Sequence, residues 1–363
     1  MPDAVALVPG FLGFDHLGER TYFADRFIGG LRGGLQARLG RAVPVIPLPT
    51  LPVSSLAERQ RALTGHLAKL DANLGASTWH LLGHSTGGVD AALLTRKNAL
   101  VDGPKGTIFG DAPPAAPRLG SVITLSAPHY GTGLALAPLA KLIAGGKPNV
   151  AGLADLARIG IDALQRDRFW TRLQFMVSTA KEGNPLEFVM HLLFGDALAH
   201  DLTPQVSGAL TATSNRGDVP ISCVATLAPP PNDRTEDHLY RDLWHWSATD
   251  DGEQVQVPPQ PDFERARRIG SPPAGPIAAK DNDSIVNTVR QVDGTLLALV
   301  GGDHTDVLGR YFRADPVDGK VIDPGLITSG AGFRDDHFFE LIDCLADGFA
   351  AQMKGAKGSS ASA

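Results

Sequence analysis

The chain is 363 residues long, carries a formal net charge of −6, and is 43% apolar and 20% charged. That apolar content excludes a disordered chain, and the acidic balance excludes a uniformly basic nucleic-acid binder. The 41 glycines and 27 prolines make it turn-rich, with no internal repeat. A prior of about 150 residues per domain allows two domains, but one α/β domain enlarged by insertions is expected from the order of elements below.

The N-terminal MPDAVALVPG lacks the basic flank of a signal peptide and reads as a first strand over 4–10. A cytoplasmic protein is expected, or a secreted one whose leader is absent from this sequence. A second strand is expected at 43–49, its later half turned to loop by prolines. Over 55–75, Leu56, Leu63, Leu67, Leu70 and Leu74 recur near helical spacing between a Ser55 cap and a Gly75 stop. A strand at 77–85, a helix at 87–98 and a strand at 121–128 follow. Residues 131–220 are mostly apolar and helical, far longer than a crossover needs, and are expected to form an inserted cap or lid. After a strand at 221–229 comes a polar, Pro-rich excursion (229–280) holding Tyr240, Trp244 and Trp246. A strand at 295–303, a helix at 337–353 and a disordered tail at 356–363 complete the chain. Most strands are near-continuous in Val, Ile, Leu and Ala, the pattern of a sheet covered on both faces. Strands alternating with helices predict an α/β fold with a mostly parallel sheet and right-handed crossovers. The core would then comprise 1–130 and 221–355. Cys223 and Cys344 are the only cysteines; they form no disulfide framework, and Cys223 reads as a buried small hydrophobe. No run approaches the roughly 18 apolar residues of a membrane span.

The sharpest local signal is Gly83-His84-Ser85-Thr86-Gly87-Gly88, between an expected strand and an expected helix. This is G-x-S-x-G in the context it requires. A serine at such a bend adopts a strained backbone that lifts its hydroxyl above the sheet. The helix start behind it offers N–H groups and a positive dipole end to developing negative charge.

These residues resemble the lipase and esterase branch of the α/β-hydrolase superfamily, and separated motifs extend the resemblance. Val8-Pro9-Gly10-Phe11-Leu12-Gly13 is similar to the oxyanion loop of bacterial lipases, with Pro9 where His usually stands. Ser126-Ala127-Pro128-His129-Tyr130-Gly131-Thr132 is similar to a segment after the next strand in which the histidine is structural. Asp281-Asn282-Asp283-Ser284 resembles the acid loop, with Ser284 in place of Gly. Asp303-His304-Thr305-Asp306 follows the last expected strand, where the family's base lies. The resemblance implies Ser85 as nucleophile, Asp283 as the acid with Asp281 as the alternative, and His304 as the base, in the family's chain order. It also implies backbone amides of Phe11 and Thr86 as the oxyanion hole.

Some bacterial lipases hold Ca²⁺ with an Asp two residues after the base, and Asp306 occupies that offset. Asp233, Asp237, Asp250 or Asp251 would supply a second ligand; otherwise Asp306 bonds its own loop. No redox or organic cofactor is implied. The implied activity is a serine carboxylesterase or lipase acting on a small-molecule or lipid ester, with no nucleic-acid partner. Alternatives are acyl transfer, amide or polyester cleavage on the same triad, and a catalytically silent binding module. His84 reads as a packing residue, the pair His80/His84 lacks the Glu and the helix of a zincin, and His337 reads as a helix-start residue. His16, His238 and His245 read as lid or cleft contacts.

Overall fold

The computed structural model describes residues 3–10, 16–17, 20–51, 54–75, 78–103, 106–110, 118–136, 196–213, 216–233, 235, 237–248, 261–315, 317–325 and 327–360. Strands in chain order are β1 (Asp3–Val8), β2 (His16–Leu17), β3 (Arg20–Thr21), β4 (Val45–Pro47), β5 (Thr78–His84), β6 (Ala99–Gly103), β7 (Gly106–Gly110), β8 (Leu119–Leu125), β9 (Ile221–Leu227), β10 (Arg267–Ile269), β11 (Thr295–Gly301), β12 (Phe312–Ala314) and β13 (Val321–Pro324). The α-helices are α1 (Asp25–Leu39), α2 (Leu56–Leu74), α3 (Thr86–Leu93), α4 (Asp196–Asp201), α5 (Pro204–Thr213), α6 (His238–Ser247) and α7 (Asp335–Ser360). Among the described residues, seven strands form one sheet in the order β10-β11-β9-β8-β5-β1-β4, and all its pairings are parallel. Helices flank it, so the expected α/β architecture is present. The pairs β2–β3, β6–β7 and β12–β13 are separate antiparallel ribbons.

Successive strand residues point to opposite faces, and both faces are covered. Val5 and Leu7 of β1, with Leu82, Ile123, Val224 and Val300, pack beneath Phe27, Leu31 and Leu35 of α1 and Phe338, Leu341 and Leu345 of α7. Ala4, Ala6 and Val8, with Trp79, Leu81 and Val122, pack against Leu63 and Leu67 of α2 and Ala91 of α3. Two-sided burial explains why these strands read as apolar runs rather than alternating ones. Each large apolar side chain buried in this way contributes about 1.5–3 kcal/mol.

The sheet edges are short. β4 has three residues, with Pro44, Pro47 and Pro49 in and around it. β10 has three, of which Arg267 and Arg268 are exposed; this edge strand lies inside the 229–280 excursion and was not expected, and neither was α6. Helix α2 forms where expected: the Ser55 hydroxyl accepts from the Glu58 amide at 3.3 Å, and Gly75 closes it at φ 57°. Helix α3 stops at Leu93 rather than 98. Arg96 is drawn out of helical register into a buried ion pair with Asp293 at 2.5 Å. Helix α1 has no counterpart among the sequence expectations, because glycines at 29, 30, 33 and 34 mimic a loop. A Cβ on Gly30 would come 3.2 Å from Ile342, and one on Gly34 would come 2.9 Å from Ala346. These two glycines let α1 and α7 approach closely.

The expected cap falls largely on residues 137–195, outside the described residues; α4 and α5 lie within the remainder of that stretch. Among the described residues, no helix is long and apolar enough to cross a membrane. The chain leaves β1 for β4 on one side, and the next sheet strand, β5, lies on the other. Strand order therefore reverses at β1, and the crevice at the carboxyl ends of β1 and β5 is where open α/β sheets bind ligands. Pro9-Gly10 and Ser85 stand at those two ends.

Candidate active site

Ser85 follows β5 directly and occupies the N-cap position of α3 with φ 55° and ψ −133°. Its side chain makes no capping hydrogen bond, so the hydroxyl is not used to close the helix. Neighbouring backbone leaves no room for side chains. A Cβ on Gly83 would lie 2.2 Å from the Gly87 carbonyl oxygen, and one on Gly87 would lie 2.2 Å from that of Val8. Thr86 is the first residue of α3, where N–H groups have no intrahelical acceptor. Phe11 lies outside the described residues. The loop entering it is held firmly: the Pro9 carbonyl accepts from Arg59 Nη2 and Thr50 Oγ1, both at 3.2 Å. Arg59 is itself fully buried in an ion pair with Asp90 at 2.6 Å. Losing one partner of such a pair costs about 3–5 kcal/mol.

Asp283 lies between β10 and β11, His304 in the loop after β11, and the two meet at 2.9 Å, His304 Nδ1 to Asp283 Oδ2. Asp283 is fully buried and its two oxygens have separate tasks. Oδ1 accepts the amides of Ile285 (3.0 Å) and Val286 (2.8 Å). Oδ2 accepts from His304, from the Thr226 hydroxyl and from Gln291 Nε2 at 3.2 Å. Since the carboxylate only accepts, His304 Nδ1 carries a proton and Nε2 is left as the acceptor. Asp281, the alternative acid, accepts from the Ala278 amide at 2.8 Å, within its own loop. Ser284 has φ 86°, which accounts for glycine in the motif it resembles.

Helix α6 braces this acid loop. The Ser247 hydroxyl donates to the Ser284 carbonyl at 2.8 Å, Asn282 Nδ2 to the Trp244 carbonyl at 3.2 Å, and Asn287 Nδ2 to the Ser247 carbonyl at 2.9 Å. The excursion thus serves the site from outside it. Thr226 and Gln291 carried no motif, and sequence reading missed both.

His84 links the residue before Ser85 to the backbone of His304. Its Nε2 lies 2.8 Å from the His304 carbonyl oxygen and its Nδ1 lies 2.7 Å from the Tyr22 hydroxyl. Burial and then the neighbouring His304 push its pKa well below the usual imidazole value. A packing role understates a residue bonded at both ring nitrogens. The remaining buried histidines are structural: His80 bonds Ser121 at 2.7 Å and His129 bonds Thr124 at 3.1 Å. Burial lowers both pKa values to about 4.

Asp306 bonds within its own loop. Its Oδ2 accepts from the Asp303 amide at 2.9 Å, while Asp303 Oδ1 accepts from the Thr305 amide and hydroxyl, both at 3.0 Å. Ca²⁺ needs six to eight oxygens, and among the described residues no group of three or more His, Cys, Asp or Glu is placed to hold a metal. Asp250 and Asp251 lie outside the described residues. Burial pushes Asp303 up to about 6, and burial followed by the Asp303 charge pushes Asp306 well above the carboxylate range. Both folded values exceed the unfolded ones, so this pair's contribution to stability falls as pH rises from about 4 through 6 and beyond. Asp306→Asn keeps an acceptor for the Asp303 amide and removes one charge. It is expected to raise the melting temperature at pH 8 by about 2 °C or more, with the gain shrinking toward pH 4 in thermal melts. A calcium ligand would show the reverse: a lower melting temperature and sensitivity to EDTA.

A scan against protein-family profiles finds no match for the sequence, and neither does a search of curated proteins. Solved structures do resemble it. Lipase 1 from Pelosinus fermentans matches with a TM-score of 0.53 at 15% identity, over 96% of this chain and 98% of that one. The Staphylococcus hyicus lipase matches at 0.52 and 15% identity, over 97% and 96%. A metagenomic carboxyl esterase matches at 0.50 and 14% identity, over 98% and 76%. The chain has the α/β-hydrolase fold. At these identities the likeness speaks for the fold alone, and the chemistry has to be argued from the residues.

Proposed function

We propose that the protein is a serine hydrolase of carboxylic esters. Ser85 is the nucleophile, His304 the general base and Asp283 its orienting carboxylate. The observation that carries this is the buried 2.9 Å bond from His304 Nδ1 to Asp283, reached from two separate loops. It leaves His304 Nε2 as an acceptor, and its loop is bonded to the residue preceding the strained Ser85.

In the reaction, Ser85 Oγ bonds to the ester carbonyl carbon while its proton passes to His304 Nε2. Asp283 stabilises the imidazolium so formed. The amides of Phe11 and Thr86 receive the oxyanion, each such donor being worth about 3 kcal/mol. Collapse breaks the ester C–O bond, and His304 returns the proton to the leaving alcohol. Water, deprotonated by the same histidine, then attacks the acyl-enzyme, releasing the acid and restoring Ser85. The structurally similar proteins are lipases and a carboxyl esterase, which favours a carboxylic ester over an amide or a polyester.

The test is a p-nitrophenyl ester series from acetate to palmitate with the full chain, together with a fluorophosphonate label mapped by peptide mass. Turnover with Ser85 as the labelled residue is the expected result, and the chain-length profile then separates esterase from lipase. Neither turnover nor labelling would indicate the silent binding module instead.

A further inference from the structure

We propose that Tyr22 and His84 are positioning residues, packed against Gly10 at one end and hydrogen-bonded through to the backbone of His304 at the other. The inference rests on the ester-hydrolase reading above and deepens it, by coupling the two parts of the site that must act together.

The direction of each bond follows from its partners. A carbonyl oxygen only accepts, so His84 Nε2, 2.8 Å from the His304 carbonyl, carries the proton. In a neutral imidazole Nδ1 is then an acceptor, and the Tyr22 hydroxyl at 2.7 Å donates to it. The Gly10 backbone packs directly against the Tyr22 hydroxyl. The packing is correspondingly close. A Cβ on Gly10 would lie 2.6 Å from the Ser85 Cβ, 2.8 Å from the His84 carbonyl oxygen and 2.9 Å from the Tyr22 hydroxyl. The His84 ring stands 4.6 Å from that of His304 and 5.6 Å from that of Tyr22, centroid to centroid.

This path supplies what the site otherwise lacks. The His304 amide donates to the Asp283 carbonyl at 2.9 Å and its ring bonds the Asp283 carboxylate. Both anchors come from the acid loop. The His84 bond is an anchor from the nucleophile's side, and it fixes the base loop relative to Ser85. At the other end, Gly10 immediately precedes Phe11, whose amide is the proposed oxyanion donor. In the motif this loop resembles, a histidine stands at the position of Pro9. Here the loop is bonded by Arg59 and packed against Tyr22 instead. A positioning role acts through the base and the oxyanion loop, so disturbing these groups lowers kcat more than it raises KM.

The experiment compares Tyr22→Phe, His84→Leu and His84→Gln with wild type on a short p-nitrophenyl ester, with thermal melts of each. Glutamine returns an N–H donor close to where Nε2 stands; leucine does not. Expected are a kcat loss of about tenfold for Tyr22→Phe and about 100-fold for His84→Leu, with KM within about twofold. His84→Gln is expected to recover at least about tenfold over His84→Leu. Unchanged kcat in Tyr22→Phe, or glutamine no better than leucine, would overturn the inference while leaving the hydrolase reading intact. If His84→Leu does not fold, Tyr22→Phe, which removes one oxygen, still decides the matter. A wild type inert to every ester and to the phosphonate overturns the hydrolase reading and this inference together.

Discussion

Ser85→Ala is expected to lower kcat by about 10⁴-fold or more and to abolish phosphonate labelling, with a melting temperature within about 2 °C of wild type. The two halves of that expectation have separate causes. The loss of rate is large because, in the proposed mechanism, no other described serine takes the place of Ser85: Ser126 and Ser284 share its unusual positive φ, yet Ser126 bonds Thr226 at 2.9 Å and Ser284 lies beside Asp283. Residual turnover would come from binding and oxyanion stabilisation alone. Stability barely changes because the Ser85 side chain caps nothing and alanine removes one oxygen without creating a cavity. The backbone strain at φ 55° is the same for either residue. Undiminished turnover in the variant, measured after exclusion of contaminating esterase, would remove Ser85 from the mechanism.

Asp283→Asn is expected to lower kcat by about 10⁴-fold, although it is nearly isosteric. The hydrogen bonds dictate how the amide must sit. Oδ1 receives two backbone amides, from Ile285 and Val286, so the oxygen of asparagine has to remain there. Its NH₂ group is then forced into the place of Oδ2, facing His304 Nδ1. An N–H pointing at Nδ1 makes that nitrogen the acceptor and moves the imidazole proton to Nε2. His304 would face Ser85 with Nε2 already protonated, and that nitrogen would have no lone pair left to take the Ser85 proton. Gln291 Nε2, 3.2 Å from Oδ2, would meet a donor as well. Asp281→Asn serves as the control, since that carboxylate accepts from a backbone amide in its own loop; kcat within about threefold of wild type is expected. If the Asp281 variant is the damaged one and Asp283→Asn is not, the acid has been misassigned. Steady-state kinetics at pH 8 settles the comparison.

The sequence revealed those parts of the molecule in which a contiguous run of residues carries its own physical constraint. The elbow is legible because steric closure at Gly83 and Gly87 must be written next to the serine it bends. The Ser55 and Gly75 ends of α2 are legible for the same reason. The strands of the central sheet are legible because burial on both faces leaves few polar positions. Helix α1 was hidden because Gly30 and Gly34 answer to a partner helix more than 300 residues away, and locally they look like a turn. Strand β10 was hidden because a three-residue edge strand carries no pattern. His84 was visible, but its bonds were not. Tyr22 comes from the segment after β3 and the His304 carbonyl from the loop after β11, so only the fold brings them to its two nitrogens.

The short outer strands of the sheet bear on how the protein behaves when concentrated. An open parallel sheet ends in two rows of unsatisfied backbone groups, and a long edge would serve as a template for another chain. At one end, β4 offers three residues among prolines, which have no N–H to give. At the other, β10 offers three residues, two of them exposed arginines that an arriving strand would have to desolvate. Both ends therefore refuse strand addition, by missing donors on one side and by charge on the other. Among the described residues, both borders of the seven-stranded sheet are chemically closed to further growth.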